Sequence, residues 1–329
     1  MPDLYDVAAI GNAIVDVIAP ASDAFLAENG LEKGAMMLVD PARSAELYSK
    51  MAAGLEASGG SAANSVAGLA SFGGRGAFMG KVANDKLGEV FAHDMRAIGA
   101  RFENLPLVGG PATAVSMINV SPDGQRTMCT YLGASVEFSD ADVEAGVVEA
   151  AKIVYLEGYL FDAEAARRAF AKAAALAHGS GRMIALTLSD RFMVDRHRAA
   201  LKGFIEGQVD LLFANDSEIT SLYETDDFDL AVEALRPHVK LAAVTRGAAG
   251  SVILSQGERL TVRAEPVEKV VDTTGAGDQY AAGFMFGLSR GRPLQQCGQL
   301  ASLAAAEVIS HYGPRPQVSL KDFAASKGY

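Results

Sequence analysis

Apolar runs of strand length alternate with alanine-rich helical patterns along nearly the whole chain. Val7-Ala-Ala-Ile10, Ile153-Val-Tyr-Leu156, Met183-Ile-Ala-Leu186, Leu211-Leu-Phe213 and Leu241-Ala-Ala-Val244 are short and continuous. Helical periodicity fills the intervals, as in 163–177 and 195–205. Strands apolar at every position must be buried on both faces. The alternation therefore predicts an α/β fold: a three-layer α/β/α sandwich around a mostly parallel sheet. In such sheets ligands collect at the carboxyl ends of the strands.

Two stretches, about 12–40 and 105–132, follow a different pattern of short alternating segments. Ala114-Val-Ser-Met-Ile-Asn-Val120 and Arg126-Thr-Met-Cys-Thr-Tyr131 flank a Pro122-Asp-Gly124 turn, which predicts a hairpin. These stretches are expected to form a small sheet standing off the main body as a lid over a ligand cleft. There is no internal repeat or linker, so residues 1–329 are expected to form one domain with this lid.

Composition narrows the chemistry. Half of the 329 residues are hydrophobic, enough for a large core. The net charge of −11 repels a phosphate backbone, so no nucleic-acid partner is expected, whereas a small nucleotide responds to local donors. Cys129 and Cys297 make no disulfide framework, and the five histidines are too dispersed for a zinc centre. The N-terminus resembles a first strand, and no apolar run reaches membrane-spanning length. A cytoplasmic protein without a membrane partner is expected.

The densest chemical signal is Val270-Val-Asp272-Thr-Thr-Gly275-Ala-Gly277-Asp278, a β-type segment running into a helical pattern near Gly275. The amides of Gly275, Ala276 and Gly277 are expected to be unpaired at the helix start, making an anion hole backed by the positive helix end. Asp278, on the first turn, is placed to accept the proton of an attacking hydroxyl. Two rival phosphate motifs are absent. Gly80-Lys81-Val82 lacks the spaced glycine and hydroxyl of a P-loop, and Tyr280 stands where a dinucleotide fingerprint needs glycine.

Asp-Thr-Thr-Gly-Ala-Gly-Asp resembles the C-terminal signature of the ribokinase (PfkB) family of carbohydrate and nucleoside kinases. Gly59-Gly60-Ser-Ala-Ala-Asn64 resembles that family's N-terminal signature, Asn215-Asp-Ser-Glu218 its Asn-x-x-Glu motif, and Thr245-Arg-Gly247-Ala-Ala-Gly250 its nucleotide-binding turn. The resemblance spans nearly the whole chain and implies a ribokinase-like fold. It also implies ATP held by Thr245, Gly247, Gly250 and Asn215, and Mg²⁺ organised through water by Asn215 and Glu218. A monovalent cation near Asp272 is a further implication. From residue types alone, Asn215 with Glu218 equally describes a helix N-cap, and 245–250 a simple hairpin.

Within the family the chain resembles the adenosine kinases. The carriers are Gly11-Asn12-Ala-Ile-Val-Asp16-Val, Leu156-Glu-Gly158-Tyr159, Thr187-Leu-Ser189-Asp-Arg-Phe192 and Arg126 to Ser135. By position, Asn12, Asp16, Gly59, Gly60 and Asn64 fall on the acceptor sugar, Tyr159 and Leu132 on the base, and Arg126 near the transferring phosphoryl group. The implied reaction is ATP- and Mg²⁺-dependent phosphorylation of the 5′-hydroxyl of adenosine, with Asp278 as general base. Ala62-Ala63 and Thr274 depart from the eukaryotic adenosine kinases near the substrate. They leave open a sugar kinase acting on ribose, fructose or a related compound, or a nucleoside-binding protein without turnover. The expected partner is a small molecule, and both a monomer and a homodimer are compatible with the sequence.

Overall fold

The computed structural model describes residues 4–329. Its strands in chain order are β1 (Tyr5–Ile10), β2 (Ile14–Pro20), β3 (Met36–Leu38), β4 (Leu55–Gly59), β5 (Gly76–Met79), β6 (Ala114–Val120), β7 (Arg126–Tyr131), β8 (Ala151–Glu157), β9 (Met183–Thr187), β10 (Leu211–Asn215), β11 (Leu241–Thr245), β12 (Ser251–Ser255) and β13 (Arg259–Val262). The main sheet runs β13-β12-β11-β10-β9-β8-β1-β5. It is parallel from β5 to β11 and antiparallel at the β12 and β13 edge.

Alternate side chains of the main strands feed two separate cores. Ala8, Ile10, Val154, Leu156, Ile184, Leu186 and Leu212 pack to one side with helices Glu164–Gly179, Arg191–Gln208 and Phe228–Leu235. Val7, Ala9, Ile153, Tyr155, Ala185, Leu211 and Phe213 pack to the other with helices Ser61–Ser71, Lys86–Ala97 and Ala276–Ser289. Period-2 alternation with both faces covered explains why these strands, past Asp6 and Lys152 near their starts, carry no polar positions until their carboxyl ends. There the apolar runs stop at Gly11-Asn12, Glu157, Asn215 and Thr245.

The second sheet runs β3-β7-β6-β2-β4. Four of its strands lie within the stretches singled out by pattern. The fifth, β4, lies outside them, because Leu55-Glu-Ala-Ser-Gly59 is short and only weakly apolar; it pairs antiparallel with β2. The turn at 122–124 does close an antiparallel β6–β7 hairpin. One face of this sheet, through Val17, Val115, Met117 and Cys129, is sealed by Leu26, Leu31 and Leu47 from and beside helices Asp23–Glu28 and Pro41–Lys50. The opposite face carries Asp16 and the linked hydroxyls of Ser116 and Thr130, 2.9 Å apart.

Phe78, Phe91 and Phe102 interlock with ring centroids 5.2–5.9 Å apart and are almost fully buried. They fix helix Lys86–Ala97, whose Asp94 accepts the backbone N–H of Ser58 on β4 at 2.8 Å. Phe91→Ala is expected to cost about 3–5 kcal/mol, read as a lower urea midpoint at unchanged slope.

Candidate active site

Helix Ala276–Ser289 begins on Gly275, whose φ of +80° suits glycine and whose Cβ position would lie 2.6 Å from the Pro314 backbone. The N–H of Ala276 is not free: it donates to the Thr273 carbonyl at 3.2 Å in the turn before the helix. This corrects the expected trio of open amides. Gly275 and Gly277 make no backbone hydrogen bond through their N–H groups among the described residues, and a Cβ at Gly277 would meet nothing within 4 Å.

Asp278 sits on the first turn. Its Oδ1 accepts the Ser61 hydroxyl at 2.6 Å and its Oδ2 accepts Asn64 Nδ2 at 3.2 Å. Burial pushes its pKa up to about 6, against the opposing hydrogen bonds of Ser61 and Asn64 and the charge of Arg315. A carboxylate poised near neutrality suits a general base.

Gly60 caps the helix Ser61–Ser71 that delivers both of these donors. Gly59, the last residue of β4, has no room for a Cβ because the Asp16 carboxylate lies against it. Asp16 faces Arg315 and Arg126, yet burial still raises its pKa to about 6, with Asp278 adding repulsion. Asn12 is buried. Its Nδ2 and backbone N–H reach Glu157 Oε1 at 2.8 and 3.3 Å, while its Oδ1 has no partner. That orphaned acceptor is suited to a hydroxyl donor.

Two charged members escaped the sequence reasoning. Glu157 accepts the Ala62 N–H at 2.9 Å as well as Asn12, and burial pushes its pKa up to about 7. A lone acid ending a buried strand was its only signal. Arg315 donates from Nε to Asn64 Oδ1 at 3.1 Å and from Nη1 to Ser58 Oγ at 2.8 Å. It sits in a Gly-Pro-Arg-Pro loop that gives no periodic cue.

Arg126, the first residue of β7, lies 3.1 Å from Asp272 through Nε, with both side chains more than nine-tenths buried, and its guanidinium faces the Tyr312 ring. The Nε and Nη1 of Arg126 have no aligned acceptor. Asp272 also accepts Thr274 N–H at 3.0 Å, Thr274 Oγ1 at 2.7 Å and Gly313 N–H at 3.1 Å. Burial acts to raise its pKa, but these bonds and Arg126 hold it below the usual range. Both carboxylate oxygens of Asp272 are thus engaged.

Asn215 and Glu218 form a reciprocal capping box on helix Asp216–Tyr223. Asn215 Oδ1 accepts Glu218 N–H at 2.9 Å, and the Glu218 carboxylate accepts the Asn215 N–H and Nδ2 at 2.9 and 2.7 Å. Burial pushes Glu218 up to about 7, and nearby Asp190 and Asp216 add to the shift. No group of three metal-ligating acids, histidines or cysteines occurs among the described residues. Thr245 ends β11, and Gly247 and Gly250 bracket the turn into β12. Tyr159 is 38% exposed beside the strand ends, its N–H 3.3 Å from Ser189 Oγ, and Leu132 is half-buried just past β7.

An acid at a helix N-terminus, open amides and acidic groups at the ends of parallel strands suit phosphoryl transfer. The pfkB family of carbohydrate kinases matches residues 34–320, and the chain belongs to that family. It is a phosphotransferase acting on a hydroxyl group. An adenosine kinase from Sinorhizobium meliloti is 53% identical over 98% of this chain and 99% of its own, with a TM-score of 0.91. A probable sugar kinase from Rhizobium etli is 49% identical over 100% and 99% of the two chains, with a TM-score of 0.92. The adenosine kinase of Saccharomyces cerevisiae is 28% identical over 93% and 95%. No helix among the described residues is long and apolar enough to cross a membrane.

Four site acids, Asp16, Asp278, Glu157 and Glu218, have raised pKa values. The folded state thus binds their protons more tightly than the unfolded chain, and their contribution to stability declines as pH rises from about 4 through about 7. The thermal midpoint is expected to be higher near pH 5 than near pH 8. Glu157→Gln should shrink that difference, and calorimetry at the two pH values checks both.

Proposed function

We propose that this kinase phosphorylates the 5′-hydroxyl of adenosine, using ATP and Mg²⁺, to give AMP and so return adenosine to the nucleotide pool. The observation that carries the reading is the hydrogen-bonded Asp278, poised beside open helix amides, within a chain 53% identical to the Sinorhizobium meliloti adenosine kinase. In this reading Asp16, Asn64 and the free Oδ1 of Asn12 receive the ribose hydroxyls. Glu157, Gly59 and Gly60 hold that pocket in shape. Tyr159 stacks on the adenine, worth roughly 1–3 kcal/mol, and Leu132 adds an apolar contact.

Asp278 takes the proton of the attacking hydroxyl. The Gly275 and Gly277 amides, and the unpartnered Nη1 of Arg126, stabilise the transferring phosphoryl group. Ala276 supplies backbone geometry only. Thr245, Gly247, Gly250 and Asn215 border the nucleotide. Mg²⁺, held through water by Asn215 and Glu218, neutralises phosphate charge when bound. The small sheet serves as a lid that excludes water, a competing acceptor.

A sugar kinase is the second reading, favoured by the 49% identity to the Rhizobium etli protein and by Ala62-Ala63 beside Asn64. ADP release across adenosine, inosine, cytidine, ribose and fructose separates the two. Adenosine is expected to give the highest kcat/KM, and adenosine no better than free ribose overturns the nucleoside reading. Asp278→Asn is expected to keep ligand binding and lower turnover by about 10²–10⁴-fold.

A further inference from the structure

The loop between helices Leu294–Val308 and Leu320–Ser326 carries Arg315 between two prolines, whose fixed φ stiffens the approach. Gln279 pins the loop from below, its Nε2 donating to the Pro314 and Asn64 carbonyls at 2.9 and 3.0 Å. The guanidinium then spans three elements. It holds Asn64 Oδ1 on helix Ser61–Ser71 and Ser58 Oγ on β4, and its Nη2 lies 4.0 Å from Met95 Sδ on helix Lys86–Ala97. The charges facing it are Asp16 from β2, Asp94 from the Met95 helix, and Asp278 from helix Ala276–Ser289.

This arrangement has two effects on the base. A primary amide turned end for end fits most sites equally well, but Asn64 has only one productive orientation. With Oδ1 committed to Arg315, Nδ2 must point to Asp278 Oδ2. The guanidinium also faces like-charged carboxylates, Asp16 and Asp278, that repel one another.

We propose that Arg315 is a positioning residue for phosphoryl transfer: it fixes the Asn64 amide toward Asp278 and supplies a desolvated positive charge shared by Asp16 and Asp278. The kinetic part of this inference rests on the kinase reading above. Arg315 lowers the pKa of both acids against the burial that raises them. Asp278 also faces Glu157, Tyr155 and Tyr159, and Asp16 also faces Arg126. Arg315 is thus the cation common to the two.

The test compares wild type with Arg315→Met and Arg315→Lys, after circular dichroism shows that each is folded. In Arg315→Met the acid limb of kcat/KM against pH should move up by at least about one unit, so that kcat/KM falls about tenfold near pH 5 and the loss shrinks in alkali. Arg315→Lys should keep the limb near its wild-type position but raise KM, because an ammonium cannot bridge Asn64 and Ser58. A merely structural role would lower rate equally at every pH.

Carbon-13 NMR titration of labelled aspartate carboxyls, assigned with Asp278→Asn and Asp16→Asn, reads the same effect without turnover. Asp278 and Asp16 should titrate at higher pH in Arg315→Met than in wild type. Unmoved carboxyl titrations in a folded Arg315→Met overturn the shared charge. If Arg315→Met does not fold, an Arg315→Lys variant with wild-type KM overturns the fixing of Asn64. A wild type that phosphorylates no acceptor, alongside shifted carboxyls, overturns the kinase reading and leaves the placement of Arg315 standing.

Discussion

Withdrawing carboxylates from water at one edge of a parallel sheet is the constraint around which this molecule is organised. Asp16, Glu157, Glu218 and Asp278 all lie where burial disfavours the charged form. Three are given specific donors, Ser61 and Asn64 for Asp278, Asn12 and Ala62 for Glu157, and Asn215 for Glu218, while Asp16 faces the charges of Arg315 and Arg126. The donors reduce the destabilisation without removing it. What remains is chemical readiness, because a carboxylate kept near its titration point accepts a proton more readily than one tied down by a full salt bridge. Asp272 shows the contrast. Thr274, Gly313 and Arg126 hold it in the charged form, and its bonds shape the loop.

The two cores make that concentration of charge tolerable. Because alternate residues of each main strand pack against helices on opposite faces, the strand ends are held rigidly in register. Polar groups can therefore be aimed from the strand ends with little freedom to move apart. Helix Ser61–Ser71, almost wholly buried, is held in the same way and presents Ser61 and Asn64 from a fixed platform.

The main sheet was legible because the runs at the heart of its central strands are apolar at every position, and the helix start at Gly275 was legible because its glycines and acids are adjacent in sequence. The reading weakened wherever a role depends on distant residues. Arg315 meets Asn64 and Ser58 across about 250 positions, and no local pattern marks it. Glu157 stood inside a quoted segment, but its partners Asn12 and Ala62 come from other elements. The fifth strand of the small sheet was missed because Leu55–Gly59 has too few apolar positions to alternate visibly. The Ala276 amide was misjudged for a local reason: a tight turn before the helix consumed a donor that a plain helix start would leave free. Asn215 and Glu218 form the N-cap that residue type alone described.

The chain passes between the small sheet and the body at four places: into β2 from β1, out of β4 into helix Ser61–Ser71, into β6 from the stretch after helix Lys86–Ala97, and out of β7. Two of these, Gly11-Asn12-Ala13 and Gly59-Gly60, touch: a side chain at Gly60 would strike the Asn12 carbonyl. The strands they serve, β2 and β4, pair with each other and carry Asp16, Ser58 and Gly59. Asn12, Asp16, Ser58 and Gly59 are therefore placed by one knot of backbone, and a bulkier residue at position 60 would disturb all four at once without touching any of their side chains.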